Sequence, residues 1–209
     1  MDRPNFAARP VPRPPRRPAG RPAAHDGPGP RERLLASAGV LFPSKGIGAV
    51  GIDELVRHAG VARMSLYHHF GSKEGLVAEY LESVHNAWFS WLQRESQRPG
   101  DTPRESILNI FEALADWHQT PGYFGCPFAR AQGELGDTTG PIRTAMDRHQ
   151  NELVQWLTEL CRLSGVRDPA NTASQISILV HGANTCAAPQ RSPEHARLAR
   201  QMAAALLAG

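Results

Sequence analysis

Between positions 63 and 73 the sequence places Arg63, Met64, Ser65, Tyr67, His68, His69 and Lys73 within a few turns of chain. These side-chain types suit contact with nucleic acid. The Arg63 guanidinium can span O6 and N7 of a guanine, Met64 can touch a thymine methyl, and Ser65 can reach a base edge or a phosphate. Tyr67, His69 and Lys73 can each donate to a phosphate oxyanion, with His68 adjacent. Leu66 and Phe70 interrupt the polar set four residues apart, the spacing that turns two side chains to one face of a helix. They should anchor this segment to a small core, leaving its first turn free to meet base edges and its flanks to meet phosphates. The other reading makes Tyr67 a core aromatic, and His68 or His69 a polar surface residue.

A helix of eight residues cannot hold itself, so the surrounding elements must position it. From Arg31 the apolar residues Leu34, Leu35, Ala38, Leu41 and Phe42 recur with helical period and Gly46 closes the segment, giving a first helix that ends near Ser44. A second short helix spans 52–59 with Ile52, Leu55, Val56 and Ala59 inward. Gly60 breaks it, and 63–70 forms the third. Two short helices across a glycine-containing turn make a helix-turn-helix. Ser72 with Glu74 suits the start of a fourth helix over about 73–97. Further helical blocks follow at 103–119, 127–135, 141–164, 169–188 and 193–207, each opening on a proline, whose missing N–H costs nothing in a first turn. No segment alternates as a strand would, so the chain is read as all-α with about nine helices.

Charge divides the 209 residues unevenly: the net +3 is the balance of +4 over residues 1–30, +3 over 31–73 and −4 over the remainder. A basic end on an acidic body points to a polyanion contact confined to that end. Nine of the eighteen prolines fall in residues 1–30, interleaved with six arginines, so this stretch is expected to be a disordered tail. It is either an arm adding electrostatic affinity for DNA or a dispensable extension. The expected domains are therefore the tail (1–30), a helix-turn-helix domain (31–76) and a larger helical domain (77–209). Three widely spaced cysteines, Cys126, Cys161 and Cys186, oppose both a disulfide framework and a paired-cysteine zinc site. With no apolar run near the ~20 residues of a membrane span, a cytoplasmic protein with no membrane partner, cofactor or metal is expected.

The stretch RERLLASAGVLFPSKGIGAVGIDELVRHAGVARMSLYHHFGSKEGLVAEYL, residues 31–81, strongly resembles the DNA-binding domain of the TetR family of transcriptional regulators. The order and spacing of AGV, LYHHF and SKEGL carry the resemblance, while GCPFARAQGEL and LVHGANTCA are more loosely similar to ligand domains of one branch. The resemblance implies phosphate contacts from Tyr67, His69 and Lys73, double-stranded operator DNA as partner, a homodimer, and an unknown small-molecule effector. It also marks two departures: Gly51 stands where the family usually has Ser or Thr, and Ala62 where it usually has Ser. The third helix thereby loses its N-cap, a change of ~1 kcal/mol.

For the effector site, Trp88, Trp91, Phe111, Trp117, Cys126, Phe128 and Trp156 are the candidate lining, since pockets for small molecules are largely aromatic; an aromatic core is the other reading for each. Cys126 sits between Gly125 and Pro127 at a helix N-cap, where the dipole could lower its thiol pKa and make it a redox or electrophile sensor. A small buried cysteine is the alternative. For the dimer, Ile176, Leu179, Val180, Ala183, Leu198 and Met202 on the last two helices are the expected contacts. Asp116 and His118 face different sides of their helix, and with no nucleophile-elbow motif the chain is read as having no catalytic residues. A ligand-responsive DNA-binding regulator, a repressor released from a palindromic operator, is the function expected. The rival classes are a constitutive DNA- or partner-binding protein on the same scaffold, and an enzyme using the helical domain.

Overall fold

A computed structural model describes residues 27–189 and 191–208. The expected tail therefore lies outside the described residues as far as residue 26. The described residues form nine helices and no strand: α1 (Pro30–Lys45), α2 (Ile52–Ala59), α3 (Arg63–Phe70), α4 (Lys73–Ser96), α5 (Pro103–His118), α6 (Pro127–Leu135), α7 (Gly140–Leu163), α8 (Pro169–Ala187) and α9 (Glu194–Leu206). Local chemistry explains the boundaries. Proline occupies the first turn of α1, α5, α6, α7 and α8. Ser72 Oγ accepts from Gly75 N at the start of α4, and Thr102 with Glu105 closes a reciprocal capping box on α5. Gly60 ends α2 in the left-handed conformation, φ 64°, which turns the chain sharply into α3.

Two apolar cores result. The first joins α1, α2 and α3 through Leu34, Phe42, Leu55, Leu66 and Phe70 and takes in Leu76, Val77, Tyr80 and Leu81 of α4. The second gathers Trp88, Trp91 and Leu92 of α4 with α5, the later turns of α7, α8 and α9. Helix α4 thus belongs to both cores. So does α7, whose Ile142 and Ala145 complete the first core from the far side together with Phe128 and Ala131 of α6. No helix among the described residues is long and apolar enough to cross a membrane.

Candidate functional site

Helix α3 is held from behind and exposed in front. Leu66 is fully buried and Phe70 buried beside it, while Met64 is 72 % exposed and Arg63, Tyr67 and His68 also face solvent. Ser65, His69 and Lys73 are half-buried at its edges. The seven residues expected to contact DNA are therefore all exposed or half-buried on α3 and at the start of α4, with Leu66 and Phe70 as the anchors of α3. Lys73 Nζ reaches the Gly48 carbonyl at 3.4 Å, bracing the loop before α2 against the start of α4. No side chain caps α2 at Gly51 or α3 at Ala62. Sequence reasoning missed Asp53 in the first turn of α2, whose carboxylate accepts from Arg63 Nη1 at 2.8 Å. Tyr67 first and Asp53 second hold the Arg63 guanidinium above its ordinary pKa, so it is a permanent cation. The surface can present a bidentate donor to a guanine with phosphate donors on its flanks.

A cleft opens in the larger domain between α4, α5, the start of α6, α7 and α8, lined by Val84, Trp88, Trp117, Cys126, Pro127, Phe128, His149 and Asn184. Four of the seven expected lining residues are here: Trp88, Trp117, Cys126 and Phe128. The other three are elsewhere. Phe111 is sealed in the second core, Trp91 packs there with its ring 5.7 Å from Trp117, and Trp156 lies edge-on to Phe89 at 5.5 Å. Cys126 does occupy the N-cap of α6, but burial pushes its thiol pKa up, overriding the helix dipole; the lowered pKa expected there is not found. His149 and Asn184, more than twenty residues from any other cleft residue in sequence, had no signal that could have found them.

The face expected for dimerisation is also redistributed. Ile176, Val180 and Ala183 are buried in the second core of their own subunit and cannot meet a partner. Leu179 is half-buried, and Leu198 and Met202 do face outward, joined by Ile178, which is 70 % exposed.

Helix α6 touches both functional regions. Its first turn walls the cleft, while Arg130 donates to the Pro43 carbonyl of α1 at 2.5 Å and to Glu134 at 2.6 Å. Glu134 in turn accepts from the Gly48 backbone N–H at 2.9 Å. Although partial burial works against it, the Gly48 and Arg130 donors hold the Glu134 carboxyl below its usual pKa.

An exposed recognition helix on a three-helix unit, joined to a larger helical domain with an aromatic cleft, defines a DNA-binding regulator of the helix-turn-helix class. Residues 34–80 match the family model "Bacterial regulatory proteins, tetR family", and residues 103–203 match "Tetracyclin repressor-like, C-terminal domain". The chain belongs to the TetR family. Among its relatives is the HTH-type transcriptional repressor NemR of Escherichia coli, 28 % identical over 172 residues, 78 % of this chain and 86 % of that protein. Among solved structures, a TetR-family transcriptional regulator from Streptomyces coelicolor superposes with a TM-score of 0.76 at 26 % identity, covering 86 % of this chain and 94 % of that one. The reduced form of E. coli NemR gives 0.74 at 26 % identity, covering 83 % and 94 %.

Proposed function

We propose that the protein is a homodimeric repressor that binds a palindromic operator through Arg63, Met64, Ser65, Tyr67, His68, His69 and Lys73, and leaves it when a small molecule fills the cleft. The observation that carries ligand control is that one helix, α6, forms a wall of the cleft and hydrogen-bonds the α1–α2 region of the DNA-reading unit. A ligand that prefers a different placement of α6 or α4 changes the presentation of α3, and it shifts DNA affinity by its differential affinity for the two arrangements. Two-fold pairing through the outward apolar residues Ile178, Leu198 and Met202 of α8 and α9 would place two recognition helices in successive major grooves.

The test is fluorescence-anisotropy titration onto the protein's own upstream DNA against scrambled DNA at two salt concentrations. Tighter binding to the upstream DNA, lost in Arg63→Ala and Tyr67→Ala, is expected; equal, salt-sensitive binding to both would leave only electrostatic attraction. Paired charges at Leu198→Asp and Met202→Asp should yield a monomer by sedimentation and weaken operator binding at least tenfold. A dimer of unchanged stability in that variant would place the interface elsewhere.

A further inference from the structure

The chemistry of the cleft wall restricts what can enter it, and this inference rests on the cleft being the effector site. No lining residue carries a fixed charge. The two titratable ones are neutral: burial pushes the Cys126 thiol up and His149 down to about 3. His149 is stacked face to face on Phe128, ring centroids 3.8 Å apart and planes within 4°, so the pair forms a two-layer aromatic wall. Trp88 stands beside it, 5.3 Å from the His149 ring.

Two polar atoms of this wall are unspent. The Trp88 indole N–H is buried and has no acceptor among the described residues. His149 uses Nδ1 toward His85 Nδ1 at 3.0 Å, and its Nε2 has no protein partner among the described residues. Hydrogen-bond logic fixes what that Nε2 offers. His85 Nε2 lies 2.7 Å from the Glu152 carboxylate, whose pKa is held down by Arg148 first and His85 second; a carboxylate only accepts, so His85 carries a proton on Nε2. When that is the only proton on His85, its Nδ1 is bare, His149 donates to it from its own Nδ1, and His149 Nε2 is left as a lone pair. The wall then holds one buried donor, the Trp88 N–H, and one acceptor, His149 Nε2, on adjacent rings. A hydroxyl group can donate to one and accept from the other, the two ring centroids being 5.3 Å apart.

We propose that the effector is an uncharged aromatic alcohol of phenol type, its ring against the Phe128–His149 wall and its hydroxyl donating to His149 Nε2 while accepting from Trp88 Nε1. Glu152 and His85 act as positioning residues that set the His149 tautomer.

Calorimetric titration of the full-length protein with phenol, anisole, toluene and benzoate tests this. Phenol should bind about tenfold more tightly than anisole or toluene, the scale of one net hydrogen bond. Benzoate should bind more weakly still, because its charge would be desolvated among neutral walls. Nitrogen-15 NMR should find His149 protonated on Nδ1. In His149→Phe, which keeps a ring against Phe128, phenol should fall to the level of toluene; where that variant does not fold, the four-probe series on the unaltered protein and the NMR decide alone. Anisole equal to phenol, benzoate bound most tightly, no binding of any probe at millimolar concentration, or His149 protonated on Nε2 would each overturn the proposal. Operator release followed in parallel separates the two readings. Phenol bound as expected with operator affinity unchanged keeps the ligand class and removes the effector role, whereas release by benzoate alone keeps the effector role and removes the ligand class.

Discussion

At the scale of single residues, the Asp53–Arg63 pair makes a prediction about specificity. Both side chains are more than half exposed, so the pair adds little stability. Its effect lies in binding: at a site without a guanine, Arg63 would otherwise fall onto a phosphate, and the neighbouring carboxylate penalises that contact. Asp53→Asn should therefore tighten binding to scrambled DNA about fivefold while changing operator affinity less than threefold, with the salt slope on scrambled DNA rising by about one. In an Arg63→Ala background the substitution should have no such effect; a persistent one would mean that Asp53 acts only at the α2 terminus. His149 makes a second prediction, on stability against pH. Its folded pKa is depressed to about 3 from 6.5, chiefly by burial. The unfolded chain therefore takes up a proton that the folded one refuses, so stability is complete above pH 6.5 and falls below it by roughly 1.4 kcal/mol per unit. The buried His118 and the half-buried His181, both lowered by burial, steepen the same loss. Urea unfolding at pH 7.5, 6 and 5 reads the slope, and an unchanged stability across that range would contradict the buried neutral state.

At the scale of elements, the hinge of the DNA-reading unit is Gly60. Its φ of 64° and ψ of 38° put it in the left-handed region, where a β-branched residue is strained by about 1–2 kcal/mol. Nothing but the Arg33 guanidinium, 3.9 Å away, crowds the position, so backbone conformation alone decides the cost. Gly60→Val should lower the melting temperature by a few degrees and weaken operator binding more than Gly60→Asn, which tolerates the same φ; equal melting curves for the three proteins would refute the strain argument. This turn was legible in the sequence, as were most helix boundaries, because Gly60, Ser72 and the first-turn prolines act through their own backbone chemistry. The faces of α8 were not legible. Ile176, Ile178, Leu179 and Val180 make the helix apolar on every side, so periodicity could not say that Ile178 alone of the four is exposed. The cleft divided the same way. Cys126 and Phe128 were readable from the α6 start, and Trp88 and Trp117 as large aromatics, whereas only tertiary packing separates these from Phe111 and Trp91 in the core or brings His149 and Asn184 in from α7 and α8.

At the scale of the whole molecule, the question is how a filled cleft reaches α3. Three connections exist among the described residues: α4 and α7, each with residues in both cores, and α6, which packs Phe128 and Ala131 into the DNA-reading core and adds polar contacts at its edge. The apolar packing of all three cannot be cut without destroying the fold. The polar contacts of α6, Arg130 to the Pro43 carbonyl and Glu134 to both Arg130 and the Gly48 N–H, lie outside that packing and can be weakened alone. Glu134 is exposed, so Glu134→Ala removes its bonds to Arg130 and the Gly48 N–H without opening a core cavity and should leave the fold and operator affinity within about threefold of the parent. If α6 transmits the signal, the factor by which a releasing compound weakens operator binding should fall about fivefold to tenfold, a coupling of roughly 1–1.4 kcal/mol. By reciprocity, the factor by which operator DNA weakens binding of that compound should fall equally. Calorimetry for the compound and anisotropy for the DNA measure the two factors independently. Loss of both by the same amount assigns the coupling to the polar tether through Glu134; an undiminished factor in Glu134→Ala assigns it to the apolar packing of α4, α6 and α7.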